Sequence, residues 1–310
     1  MSLWNRQYRV KFPELNLEYA NTLRINFEVD KDLTKETNKS KLTLCNLSET
    51  SRKNIEVADR QVEIYAGYKD NTGPVRIFVG TVVSSKTTDD GKDVSTELTL
   101  SDGQVAIRDT IFSLSFAPGT PGNAILQYIA NEMGLPLILG NGVQFGTFAN
   151  GFAYVGTPRN ALDAICYHSG CTWSVQNNAL QVILNGGVTT NRGLVFAADS
   201  GLIGSPERII KSNPKPDKET PKRKRRKKEE KEKPEKQAGW KIKTLLAPTV
   251  TPGDAVKVES RYIKGWFRVE AVKHSGDSYS GDWTSEIDLI ERLTYEKKEG
   301  AGSGTGSATT

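Results

Sequence analysis

The chain has 310 residues with a hydrophobic content of 36%, low for a single globule, which predicts about two domains diluted by polar segments. Its net charge of +5 is unevenly placed: Lys211–Lys236 holds 13 basic and 6 acidic residues, a local +7 that leaves the rest of the chain at −2. This excludes a body that grips nucleic acid over its whole face, and no run approaches the ~18 apolar residues of a membrane span. The first residues, MSLWNRQYRV, lack the apolar stretch of a secretory signal, so synthesis and retention in the producer's cytoplasm are expected.

Residues 1–110 read as all-β. Apolar alternation runs through Trp4–Phe12, Leu23–Val29, Leu42–Glu49, Val62–Asp70 and Val75–Ser85, with a short helix-prone step at Thr50–Val57. Asn71-Thr72-Gly73-Pro74 and Asp89-Asp90-Gly91 mark turns, the second closing a hairpin between Val79–Lys86 and Val94–Leu100. A closed or nearly closed sheet is expected, because closure removes exposed strand edges.

Residues 111–185 contain a repeat. Thr120 to Leu139 and Thr157 to Val175 align at an offset of 37, sharing Thr-Pro-x-Asn-Ala-Ile/Leu. Thr as N-cap and Pro at the first helical position predict two helices, with Ala124, Ile125, Tyr128, Ile129 and Ala161, Leu162, Ile165, Cys166 on their apolar faces. Gly134 and Gly170 are the expected stops, each helix leading into a strand, and Asn177-Asn178 joins two further strands as a hairpin. A small α+β module follows from this.

Strand character resumes at Leu194–Ile210 and continues from Trp240 to residue 292, the two pieces forming a second β domain over 186–210 and 240–292. There Ala255–Ser260, Trp266–Val272 and Trp283–Ile290 alternate between Pro-Gly-Asp, Lys-Gly and Ser-Gly-Asp turns. Between the pieces, residues 211–239 form an insert with seven consecutive bases, Lys222, Arg223, Lys224, Arg225, Arg226, Lys227 and Lys228. The basic run precedes Glu229, Glu230 and Glu232, against a helix dipole, and Lys211–Lys236 has no apolar side chain, so an irregular segment is expected. Those seven residues are the candidate polyanion contact; the alternative is a solvated loop. Residues 293–310 read as a flexible tail.

Chemistry is sparse. No G-x-G-x-x-G, Walker A, H-E-x-x-H or G-x-S-x-G is present, and His168 and His274 are the two histidines, so no catalytic or cofactor residues are assigned. Cys166, His168 and Cys171 supply three ligands but not the fourth of a closed zinc site, and with Cys45 they are expected to be reduced, partly buried thiols. Asp277 and Asp282 flank Ser-Tyr-Ser-Gly as ordinary turn acids.

Several phrases together resemble the baseplate hub proteins of contractile phage tails, the adaptor family between tail tube and spike. In the N-terminal part they are Asn46-Leu47-Ser48, Ala66-Gly67-Tyr68 and Ile77-Phe78-x-Gly80. In the C-terminal part they are Gly201 to Arg208, Pro252-Gly253, Gly265 to Val269, His274 to Asp277 as a turn, and Trp283. The resemblance spans residues 4–292 apart from the insert, where family members have a short connection. It implies a mainly β fold: two tube-like β-barrel or sandwich domains flanking the helix-containing central module. It implies a non-enzymatic virion protein of the tail baseplate, a homotrimer whose two β domains present six quasi-equivalent units. Its expected partners are the tail tube protein, the central spike protein, the tape measure protein, other baseplate proteins and genome DNA in transit. The competing interpretation is a carbohydrate- or peptidoglycan-binding tail protein built on the central module, with Tyr154, Trp173 and Trp240 as exposed platforms.

Overall fold

Alternation in the first hundred residues becomes an antiparallel ladder because each strand has one face to bury and one to leave in water. A computed structural model describes residues 5–34, 37–71, 73–102, 111–189, 193–213 and 235–291. In chain order the N-terminal strands are β1 (Arg6–Phe12), β2 (Leu17–Ala20), β3 (Ile25–Asp32), β4 (Lys39–Cys45), β5 (Gln61–Tyr68), β6 (Gly73–Asp89) and β7 (Val94–Ser101). Between β4 and β5, helix α1 (Glu49–Ile55) starts at Ser48, whose hydroxyl accepts the Ser51 amide. The strand order is β3-β4-β7-β6-β5-β1-β2. Phe12, Phe27, Phe78, Leu42, Leu98 and Ile64 fill the interior, each such side chain contributing roughly 1.5–3 kcal/mol by burial.

The central segment holds a ribbon, β8 (Phe112–Phe116) with β12 (Phe152–Gly156), a bridge of β9 (Thr120–Pro121) with β11 (Thr147–Phe148), and a small sheet. That sheet is β10 (Leu137–Leu139), β14 (Ala179–Leu184) and β13 (Cys171–Gln176). Helices α2 (Gly122–Glu132) and α3 (Pro158–His168) pack on it. Gly134 and Gly170 stop both helices with positive φ, and Asn177 and Asn178 both take positive φ at the β13–β14 turn, as a two-residue hairpin requires.

Two details of the helix starts differ from expectation. Pro121 is the N-cap of α2, and neither Thr120 nor Thr157 caps through its side chain. The Thr120 hydroxyl instead donates to the Ala117 carbonyl at 2.7 Å, because the β9–β11 bridge holds it in extended backbone. The buried face of α2 is accordingly Ile125, Leu126, Ile129 and Ala130, with Ala124 and Tyr128 facing outward. On α3, Ala161, Leu162, Ile165 and Cys166 are buried as the spacing predicts.

The C-terminal strands are β15 (Leu194–Ala197), β16 (Leu202–Asn213), β17 (Glu235–Leu245), β18 (Ala255–Glu259), β19 (Lys264–Asp277) and β20 (Trp283–Ile290). They enclose a third core of Phe196, Ile242, Val258, Val272, Ile287 and Leu289. The His274–Asp277 stretch, expected as a turn, is the end of β19, because its backbone finds partners on both sides in β20 and β3. The strands also run into the charged segment from both ends, with register kept from Ile210↔Ala238 to Asn213↔Glu235. Ladder bonds are main-chain bonds and need no apolar side chain, which is why composition placed those ends in the insert.

β19 also pairs with β3, from Ala271↔Asp32 to Asp277↔Asn26. One sheet therefore runs β16-β17-β20-β19-β3-β4-β7-β6 without a break in hydrogen bonding.

Candidate functional site: the joined sheet and its polar clasp

Lys222–Lys228, the candidate polyanion contact, lies outside the described residues. The strands that lead to it are adjacent, since Asn213 pairs with Glu235. Among the described residues no cluster of His, Cys, Asp and Glu is arranged to hold a metal, and no helix is long and apolar enough to cross a membrane. Cys166 and Cys171 are 1% and 6% exposed inside the module core, and His168 ends helix α3. Asp277 and Asp282 do not act together. Asp277 receives Arg24 at 2.9 Å, whereas Asp282 lies 3.6 Å from Lys243.

The expected aromatic platforms are not platforms. Trp173 is 1% exposed, and its indole N–H donates to Asp163 at 2.7 Å. Trp240 donates to Glu291 at 2.6 Å under the Arg208 guanidinium, and Tyr154 stacks on Phe152 against the module core. Alternation explains the outcome at Trp173: it shares the inward side of β13 with Val175.

Two features arise where the β units meet. On the outward face the register opposes acids and bases: Lys243, Glu286, Lys273 and Asp30 follow one another across β17, β20, β19 and β3. Beside them Glu28 faces Lys41 across β3 and β4. Lys273 reaches Glu28 at 2.9 Å, Lys41 reaches Glu97 at 3.8 Å, and Lys243 reaches Glu286 at 4.0 Å. The Glu28 hydrogen bond holds the Lys273 ammonium above its usual pKa, against a smaller cost of burial. Partial burial raises the Asp30 carboxyl, and Lys273 pulls it back.

The inward face of the same junction is polar and dry. Thr244, Ser285, His274, Val29 and Ser40 follow one another across β17, β20, β19, β3 and β4. His274 is fully buried, with Nδ1 2.8 Å from the Ser285 hydroxyl. That hydroxyl oxygen accepts the Ala247 amide at 2.9 Å, so its own proton can go to Nδ1 of a neutral imidazole. Burial, reinforced by the nearby Lys31 charge, pushes the His274 pKa down to about 3.

Lys31 is 3% exposed and donates to Asn177 Oδ1 at 2.8 Å. Asp102, fully buried, accepts from the Asn38 amide at 3.1 Å, the Asn38 side chain at 3.0 Å and the Asn177 amide at 3.3 Å. Burial lowers the Lys31 pKa, opposed by Asp102. It raises that of Asp102, opposed by the Asn38 donors and Lys31. Gln176 donates to the Asp32 carbonyl at 2.5 Å, and Gln181 to the Pro252 carbonyl at 3.0 Å. The β13–β14 hairpin is thereby tied to both β units. At the same contact Gly253 has φ +94, and a Cβ there would lie 2.8 Å from Gln181 Nε2, which explains the Pro-Gly turn. The chemistry of the clasp is that of registration, a use to which buried polar and ionic groups are suited.

Sequence reading found none of the clasp. Lys31 and Asp102 look like solvated residues of a strand and a turn, and only their convergence on Asn177 marks them.

The architecture is mainly antiparallel β, with a charge-laddered joined sheet and a clasped α/β module. Residues 10–144 match the model of the family described as Baseplate hub gp41. No curated protein matches the chain by sequence. In fold it is similar to the tail protein from Neisseria meningitidis MC58, with TM-score 0.62 and 10% identity over 93% of this chain and 97% of that one. It is similar also to the prophage MuSo2 43 kDa tail protein from Shewanella oneidensis, with TM-score 0.61 and 10% identity over 92% and 98% of the two chains. A third likeness is to the E. coli c3393 protein, a component of the type VI secretion system, with TM-score 0.57 and 9% identity over 91% and 76%. At such identities these likenesses show the fold. With the family match over residues 10–144, they bear out the resemblance to baseplate hub proteins of phage tails read from the sequence.

Proposed function

We propose that the chain is the trimeric hub of a contractile tail's baseplate, joining a hexameric tail tube to a trimeric central spike and forming part of the channel for genome ejection. The observation that carries this is the unbroken β19–β3 joint, which makes one sheet of two β units. Within that sheet the quartets β19-β20-β17-β16 and β3-β4-β7-β6 lie end to end. A heterologous contact that repeats the joint between copies closes a ring when three chains supply six such units. The two ends suit it: among the described residues β16 pairs only with β17, and the distal half of β6 only with β7. Residues 83–93 of that second arm are all exposed. The outward, charge-laddered face then lines the channel, and the α/β module sits at the rim marked by Asp32 and Asn38.

The proposed domain division follows the three buried cores, and the proposed partners are the tube, spike, tape measure and other baseplate proteins, met in the virion after assembly in the host cytoplasm. Lys222–Lys228, between β16 and β17 in the chain, is proposed as a sequence-independent contact to genome DNA or an acidic partner. Native mass spectrometry and averaged images of assembled tail ends test the ring. Three chains with pseudo-sixfold symmetry are expected; one chain, or six, in the assembled particle overturns it.

A further inference from the structure

Solubility requires only that the outward face of the joined sheet be polar. It does not require acid and base to be opposed strand after strand, as Lys243, Glu286, Lys273 and Asp30 are. Nor does it require the ammonium groups of Lys41 and Lys273 to lie within 3.8 and 2.9 Å of Glu97 and Glu28. These side chains remain partly open to water, with 58% and 44% exposure for Lys41 and Glu97, and 40% and 46% for Lys273 and Glu28. A passing polymer could therefore touch them.

We propose that this face is a non-adhesive wall toward double-stranded DNA: its carboxylates neutralise its ammonium groups in place, so a polyanion crossing it is neither captured nor repelled. The proposal rests on the channel reading for its setting. Duplex DNA carries one charge per ~1.7 Å of axis, and a protein gains affinity by offering cations that displace condensed counterions. A lysine already held by a carboxylate must break that pair first, so the exchange yields little. An excess of acids would instead push the duplex away. With opposite charges a few ångströms apart, the residual field fades within the ~10 Å Debye length of ordinary salt.

The test uses the full chain with Lys222–Lys228 replaced by Ser and Gln, so that only the sheet face is read. Anisotropy of a short fluorescent DNA duplex is followed at stepwise salt before and after adding Glu28→Gln, Glu97→Gln and Glu286→Gln. The parent should show no salt-dependent binding. The triple variant should bind, with a log affinity against log salt slope of about −3 for Lys41, Lys273 and Lys241, the last 3.8 Å from Glu286, Lys243 keeping Asp282 at 3.6 Å. Binding by the parent would make the face a grip, and a folded triple variant that still ignores DNA would show that the face is not balanced by these pairs; either overturns the proposal. Should the triple variant unfold, Glu28→Gln alone, expected to bind with a slope of about −1, decides in the same way. The measurement reads a face that each chain carries, so failure of ring formation appears in the images and not here.

Discussion

Strand β3 uses its two edges differently. Toward β4 its inward residues meet apolar partners, Ile25 with Leu44 and Phe27 with Leu42, giving way to Ser40 only opposite Val29. Toward β19 Phe27 meets Gly276, Val29 meets His274, and Lys31 meets Val272. The first edge belongs to a self-contained core and is held by burial; the second joins two units and is held by shape and by buried polar groups. A one-residue slip at the second edge would put His274 and Lys31 on opposite faces and leave one of these buried polar groups without its surroundings, so the polar filling fixes register where apolar filling alone would tolerate alternatives.

The contrast is sharpest for size changes. Leu42 is fully buried, and Leu42→Ala should cost about 2–5 kcal/mol through the cavity it leaves. At the joint the sensitivity is inverted: a Cβ on Gly276 would stand 2.4 Å from the Phe27 ring and 2.7 Å from Trp283. Phe27 and Trp283 already form an edge-on pair at 5.3 Å, so neither ring yields easily. Gly276→Ala should therefore cost about 1–3 kcal/mol by overpacking. Denaturant midpoints of both variants check this. A neutral Gly276→Ala would mean that the joint is loose, and the contrast between the edges would fail.

Much of the first edge was legible in the sequence, because Ile25, Phe27 and Val29 alternate and the Asn177-Asn178 and Asp89-Asp90-Gly91 turns carry their own chemistry. The joint was not. His274-Ser-Gly-Asp277 has the letters of a turn, and only pairing with a strand some 245 residues earlier, as in Lys273 to Glu28, makes it a ladder. Lys31 and Asp102 were invisible for the same reason, since burial of a charge is decided by distant segments. Trp173 failed as a platform because the hairpin's own letters do not show which of its faces the two helices cover. The ends of the charged segment were misplaced because composition carries no record of main-chain pairing.

The joint should also respond to acid through His274. Its folded pKa of about 3 lies below the ordinary 6.5, so below pH 6.5 the unfolded chain takes up a proton that the folded chain refuses. Stability from this group is therefore full above pH 6.5 and falls by about 1.4 kcal/mol per pH unit as pH drops toward 3. Burial raises the Asp102 pKa to about 6, which acts with the opposite sign over an overlapping range. The test is therefore a difference, His274→Gln against the parent at each pH from 7 to 4. The variant should be less stable at pH 7 by about 1–2 kcal/mol and should close that gap as pH falls. A constant difference would show that the imidazole is not held neutral.

The smallest effect is expected farthest from both edges. Deleting residues 214–234 and joining Asn213 to Glu235 with a short Gly/Ser turn leaves the paired ends of β16 and β17 in register. The deleted stretch contains no apolar side chain, so it has nothing to contribute to a core, and shortening a loop changes closure entropy only slowly with length. The thermal midpoint should thus move by no more than a surface change of ~0.5 kcal/mol would cause. A large drop would mean that the charged segment packs against the body and helps to hold the joined sheet, in which case the polar clasp would not be the whole of what registers it. An unchanged midpoint with lost DNA retention would instead divide the roles: the strands carry the architecture, and the seven bases beyond them carry the charge.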